Sequence, residues 1–300
     1  MARSRHAGLG GVATLGLRRA PAGRMVAQPA SQESVMPRTA ARPGAAYTPT
    51  SPVALPAEAT FVSDLAPGAR GARVRFVQEW LCLHDVHVAI DGGYGPATAA
   101  GVRDFRAKRG LPAGDRVDRA TFEALVAPMR AALAPLPLRV ATLGQMVVAY
   151  AQQHLAQHPR EVGGQNMGPW VRLYMDGNQG AAWPWCAGFA TLVLKQAAHA
   201  LGVPVPVART FSCDVLAGSA TANQCFVGGA TPGAREVTPG SLFLVRRTRN
   251  DWEHVGIVTA VEGDVFRTIE GNTNDAGHRE GYEVCARVRG FDRKDFVLIA

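Results

Sequence analysis

The strongest constraint on the fold is a largely apolar run from Cys186 to Leu201, approached through Trp183-Pro184-Trp185 and stopped by Gly202. A run of this length reads as a buried helix that the rest of the chain has to cover, with a proline suited to its beginning and a glycine to its end. Cys186 falls at the first turn. There, unpaired backbone N–H groups and the positive end of the helix dipole favour an anion. A thiol attacks only as thiolate and is mostly protonated at neutral pH, so a nucleophilic cysteine needs such surroundings.

Downstream, Trp252-Glu253-His254-Val255-Gly256-Ile257-Val258-Thr259-Ala260 is a β-branched run that reads as a strand. Its alternation sets His254, Gly256 and Val258 on one face. Val265 to Asn272 reads as the next strand, with Glu270 and Asn272 on one side if the strand continues. Either can orient the imidazole of His254. A thiol, a base within reach and a third group steering that base make the triad of a nucleophilic hydrolase.

These residues fall in a longer order: Gly163-Gly164-Gln165-Asn166-Met167-Gly168-Pro169-Trp170-Val171, Tyr174, Pro184-Trp185-Cys186-Ala187, Pro239-Gly240, His254-Val255-Gly256-Ile257-Val258 and Glu270-Gly271-Asn272. In this order the chain resembles the CHAP amidohydrolase/peptidase family over residues 143–300. That family is a papain-like group of bacterial and phage cell-wall enzymes related to the NlpC/P60 peptidases. The resemblance implies an α+β fold, with helices preceding an antiparallel sheet. It also implies Cys186 as nucleophile, His254 as base, and Glu270 with Asn272 as the orienting pair. Ser241 departs from the acidic residue that members often carry after Pro-Gly, which touches only the local turn.

Upstream, Val74, Val77 and Leu81 recur at amphipathic-helix spacing. Ala89-Ile90-Asp91-Gly92-Gly93-Tyr94-Gly95-Pro96 is a glycine-rich turn, Thr98 opens a second helix carrying Val102 and Phe105, and Gly110-Leu111 ends it. A further turn at Gly114 leads to Thr121, Phe122 and Leu125. Residues 63–128 resemble the small three-helix peptidoglycan-binding domain found beside wall hydrolases, with Arg106 where a glutamine is common. A ligand groove there is expected among Asp91, Tyr94 and Arg106. Around the thiol, Trp183 and Trp185 are candidates to wall a substrate cleft. Residues 129–142, with Pro135 and Pro137, read as a linker.

Residues 1–62 are rich in Ala, Arg, Pro, Gly and Ser with little periodicity, and are expected to be disordered. Ala7–Leu17 is too short to span a membrane, and Ala20-Pro21-Ala22 resembles a leader cleavage site interrupted by Arg18 and Arg19. The net charge of +8 and pI near 9.7 suit a basic protein drawn to an acidic cell envelope. The arginines read as spread along the chain, without a basic helix or an aromatic-interleaved patch, so nucleic acid is not the expected partner. Five cysteines leave at least one thiol unpaired, and Cys213 with Cys225 could bridge in an oxidising compartment.

The expected activity is hydrolysis of a peptidoglycan amide, either as an N-acetylmuramoyl-L-alanine amidase or as a stem or cross-bridge endopeptidase. It proceeds through a Cys186 thioester at the cell wall, outside the cell or in the periplasm. No metal or organic cofactor is required, no stable membrane insertion is expected, and the chain is expected to act as a monomer. Two alternatives are an inactive wall-binding scaffold and a cysteine amidase acting on a non-wall amide.

Overall fold

The computed structural model describes residues 51–137, 142–229, 236–274 and 280–299. The leader-like stretch and its cleavage site lie outside these. Among the described residues the chain is α+β, with seven α-helices and one six-stranded antiparallel sheet. No helix there is long and apolar enough to cross a membrane.

The first helices are α1 (Ala72–Leu83), α2 (Pro96–Lys108) and α3 (Arg119–Leu133). The expected Val74, Val77 and Leu81 face the core together with Phe76 and Trp80. Helix α2 starts earlier than Thr98, at Pro96, whose missing N–H costs nothing in a first turn. The Thr98 hydroxyl instead accepts from Gln78 Nε2 at 3.0 Å in a buried contact. Helix α3 is capped by Asp118, whose carboxylate accepts from the Thr121 N–H at 2.8 Å. It continues through residues 129–133, into the stretch read as linker.

Residues 51–62, read as part of a disordered segment, include a single 3-10 turn at Ala57–Ala59, and Val53, Leu55, Ala59 and Phe61 pack into the core. Phe61 meets Phe122 edge-on, with centroids 5.8 Å apart. These spaced apolar side chains give the segment something to bury in spite of its Pro- and Ala-rich composition.

The following helices are α4 (Leu143–Leu155), α5 (Pro169–Tyr174), α6 (Cys186–Leu201) and α7 (Cys213–Ala222). A capping box between Thr142 and Gln145 starts α4. Helix α6 has the expected bounds and ends on Gly202 in the left-handed region at φ 66°. The strands are β1 (Phe226–Gly228), β2 (Leu242–Thr248), β3 (Asp251–Glu262), β4 (Val265–Thr273), β5 (Glu283–Gly290) and β6 (Lys294–Val297), in the order β1-β6-β2-β3-β4-β5. Helix α6 packs between α4 and the central strands β3 and β4. Val255, Ile257 and Ile269 belong to the core that includes α6, while Phe243, Val258, Phe266 and Phe296 form a second cluster. The strand alternation read at His254, Gly256 and Val258 therefore separates two apolar layers.

The α1–α3 module is packed directly on the helices that follow. Trp80 meets Trp170 edge-on at 5.9 Å, and the Arg172 guanidinium pairs with Glu79 at 2.6 Å and Glu58 at 2.8 Å. Arg160 Nη2 donates to the Leu83 carbonyl, at 3.1 Å, near the end of α1, where backbone acceptors lack helical partners.

Candidate active site

Cys186 is the first residue of α6. The preceding Trp185 makes no side-chain cap, because an indole N–H only donates; it bonds Glu161 Oε1 at 2.8 Å. The N–H groups of the first turn therefore have no capping side chain to satisfy them. The thiol is 4% exposed and receives the Val255 backbone N–H, in contact with the Cys213 thiol and the His254 imidazole. Donation from Cys213 first, and then the neighbouring His254, outweigh burial and hold the Cys186 thiol well below its ordinary pKa. Cys213 moves the other way: the neighbouring sulfur and burial push it up, so it stays protonated.

His254 comes from β3 and Glu270 from β4. His254 Nε2 lies 2.9 Å from Glu270 Oε2, and both side chains are buried. An ionised carboxylate only accepts, so Nε2 carries the proton in this bond. Nδ1 is buried and makes no hydrogen bond, and Cys186 is the other group whose charge acts on the ring. Burial alone would lower the imidazole pKa, but Cys186 and Glu270 together raise it to about 9. With the thiol lowered and the imidazole raised, the pair rests as thiolate and imidazolium near neutrality.

Glu270 has no exposed surface. Burial would raise its pKa, but Arg289 and His254 bring it down to about 2. Arg289 reaches across from β5 and donates twice, Nε to Oε1 at 2.9 Å and Nη2 to Oε2 at 2.6 Å, while Thr268 Oγ1 donates to Oε1 at 2.6 Å. Gly256 makes room for this carboxylate. A Cβ there would lie 2.7 Å from Glu270 Cγ and 2.6 Å from Phe243 Cε1. Sequence reading missed Arg289 and Cys213, which are remote in sequence from Glu270 and Cys186, and also Thr268, which lies two residues before Glu270 on the same strand.

Of the expected orienting pair, Glu270 is the one whose carboxylate meets His254. Asn272 is fully buried two residues on, with φ 56°, at an irregularity between Glu270 and Thr273 that breaks the strand alternation. Trp183 is half-buried and edge-on to Phe211 at 6.3 Å, at the approach to α6. Trp185 does not wall a cleft: its ring is fully buried and stacked on Tyr174 at 5.3 Å.

The groove residues proposed for the three-helix module are largely occupied internally. The Tyr94 hydroxyl donates to the Asp115 carbonyl at 2.5 Å. Arg106 is buried, donating to the Pro112 carbonyl at 2.7 Å and to Asp118 Oδ2 at 3.0 Å. Asp91 is exposed, but its Oδ1 accepts from Gln78 Nε2 and the Gly93 N–H, each at 2.8 Å. Turn closure and capping consume these polar groups. Cys225 does not bridge Cys213, because its sulfur turns to the Ala220 carbonyl at 3.5 Å and all five cysteines are free.

Residues 176–272 match the family model of the CHAP domain. The matched segment holds Cys186, Cys213, His254 and Glu270, and supports a CHAP-type peptidase or amidase there, in a family of peptidoglycan hydrolases. Among solved structures, the SleB N-terminal domain is similar at 28% identity, over 23% of this chain and 96% of that one, with a TM-score of 0.22. No curated protein matches the chain.

Proposed function

We propose that the protein hydrolyses an amide bond of peptidoglycan through a Cys186 thioester. The observation that carries this reading is the buried line of thiol, imidazole and carboxylate running from α6 through β3 to β4. The Cys186 thiolate attacks the amide carbon, and the oxyanion develops beside the N–H groups at the start of α6. Each such donor contributes about 10²–10³ in rate. His254 gives a proton to the leaving amine, the C–N bond breaks, and the acyl group stays on sulfur. The neutral imidazole then takes a proton from water, which attacks the thioester and returns the thiolate. General acid–base help of this kind adds ~10²–10⁴. Glu270 keeps the ring oriented and its charge compensated throughout.

The wall as substrate is supported by the CHAP match and by the basic character of the chain, which favours an anionic polymer. The scissile bond is either the amide to L-Ala or one within the peptide. Clearing of purified walls in a gel tests the proposal. Cys186→Ala is expected to abolish clearing, and undiminished clearing would refute the nucleophile. Wall binding without clearing by the unaltered protein would point to a scaffold. Mass spectrometry of released fragments then distinguishes the bonds: a new N-terminal Ala marks the amidase, and a new terminus inside the peptide marks the endopeptidase.

A further inference from the structure

The nucleophile has a second thiol against it. Cys186 and Cys213 are the first residues of α6 and α7, and their sulfurs lie 3.9 Å apart in a buried contact. The two helix starts are held together from outside. Ser212 Oγ caps α7 by accepting from the Val215 N–H at 3.3 Å, and Asp214 Oδ1 accepts from the Trp252 N–H at 2.8 Å, tying α7 to β3 two residues before His254. On the other side, the Thr191 hydroxyl accepts weakly from the Thr210 N–H at 3.4 Å and donates to its carbonyl at 3.0 Å, fixing the chain that enters α7 against α6. The sulfurs therefore face each other across a short gap, where a disulfide needs about 2.0 Å. Side-chain rotation and a small approach of the helix starts would close it.

We propose that Cys213 is the resolving thiol of an oxidative modification site at the active centre, where peroxide converts Cys186 and Cys213 to a reversible disulfide. The proposal rests on Cys186 being the ionised thiol of the catalytic site. In the first step the Cys186 thiolate attacks a peroxide oxygen. The S–O bond forms, the O–O bond breaks, and the leaving hydroxide is protonated to water, leaving a sulfenic acid on Cys186. In the second step Cys186 is a neutral sulfenic acid and no longer the anion that held the proton on Cys213, so Cys213 gives up that proton and its sulfur attacks the sulfenic sulfur as thiolate. The S–S bond forms, the S–O bond breaks, and the departing hydroxide leaves as water with the Cys213 proton. Two thiols lose two electrons, and one hydrogen peroxide is reduced to two waters. The lowered Cys186 is the sulfur that meets peroxide, and Cys213, 3.9 Å away, is the thiol placed to resolve the product. The disulfide consumes the nucleophile, so the oxidised protein is inactive. The cross-link also spares Cys186 from the sulfinic and sulfonic acids that no dithiol reverses.

The test treats the full chain with hydrogen peroxide and reads intact mass, disulfide-linked peptides and amide hydrolysis, each before and after dithiothreitol. The expected result is a loss of two hydrogens, a peptide pair joining Cys186 to Cys213, and a fall in activity of more than about tenfold that dithiothreitol restores. In Cys213→Ser, peroxide is expected to add oxygen to Cys186 as sulfinic or sulfonic acid, and dithiothreitol is expected not to restore activity. Irreversible oxidation of the unaltered protein, without the linked peptide, would overturn the proposal, as would full dithiothreitol recovery in Cys213→Ser. The mass measurement needs no wall substrate. A linked pair in a protein that clears no wall would therefore leave the thiol site standing and count only against the peptidoglycan reading.

Discussion

Glu270 depends on Arg289 to remain an anion in a place with no exposed surface. A buried carboxylate without a partner would neutralise itself by taking a proton. Arg289→Met is therefore expected to raise the Glu270 pKa from about 2. The acid limb of the kcat/KM profile should then move up by about 1–2 pH units, with a smaller move for Arg289→Lys, which keeps charge but loses the fork. A uniform fall at every pH would instead mean that Arg289 only supports the fold. The basic limb belongs to His254, whose pKa of about 9 should set the pH above which activity falls. Stability follows the same signs. The raised imidazole contributes fully below its ordinary ~6.5, and its share is lost as pH rises through the folded value. The depressed carboxylate contributes above its ordinary ~4.3 and loses its share as pH falls toward the folded one. His254 was legible on its strand, whereas Glu270 was legible only as one of two candidates, because alternation set it beside Asn272 and the irregularity between Glu270 and Thr273 separates them. Arg289 was not legible, because its reach depends on the β4–β5 pairing of Phe266 with Arg289. In the sequence it is one of several similar arginines, at 287, 289 and 293.

Helix α6 sets the height of Cys186 over the sheet, and one glycine sets how closely α6 approaches α5. At Gly188 a Cβ would collide with the Tyr174 carbonyl oxygen and lie 2.5 Å from Met175 Sδ. The thioether could swing aside, but the carbonyl belongs to backbone. Gly188→Ala is expected to cost about 1–3 kcal/mol by overpacking, read from the denaturant midpoint. Activity should fall with it, because α6 carries Cys186, the proposed nucleophile. Shortening Met175 to Ala in the same protein should not restore either quantity. A change within about 0.5 kcal/mol would show that α5 yields and that the approach is not tight. The bounds of α6 were readable because an apolar run between a proline and a glycine has punctuation at both ends. The start of α2 lies earlier than Thr98, since the stronger signal is Gly95-Pro96. The orientation of Trp185 was unreadable, because it depends on Glu161 reaching it from a distant loop.

At the scale of the whole molecule, the α1–α3 module behaves as part of the core rather than as a bead on a string, and Arg172 is the node that joins it. Its side chain, 13% exposed, pairs with Glu58 from the N-terminal segment and Glu79 from α1. It also donates to Gln179 Oε1 at 2.7 Å. Glu79 is 2% exposed, and its other cation, Arg75, stands back at 3.7 Å. No local periodicity announces such a pair, because the partners are far apart in sequence. Arg172→Met leaves Glu79 buried with little compensation, which is expected to cost about 3–5 kcal/mol. Replacing both partners, Glu79→Leu with Arg172→Met, removes the stranded charge and should recover much of that loss. Calorimetry reads both effects, and docking makes a further demand on the same traces. If Trp80, Trp170 and Arg172 bind the module to the catalytic helices, the unaltered protein should melt in one transition, with calorimetric and van't Hoff enthalpies in agreement. The Arg172 variant should melt lower and more broadly as the module loosens first. A separate melting of the module in the unaltered protein, or an Arg172→Met variant as stable as the parent, would show that the interface contributes no coupling.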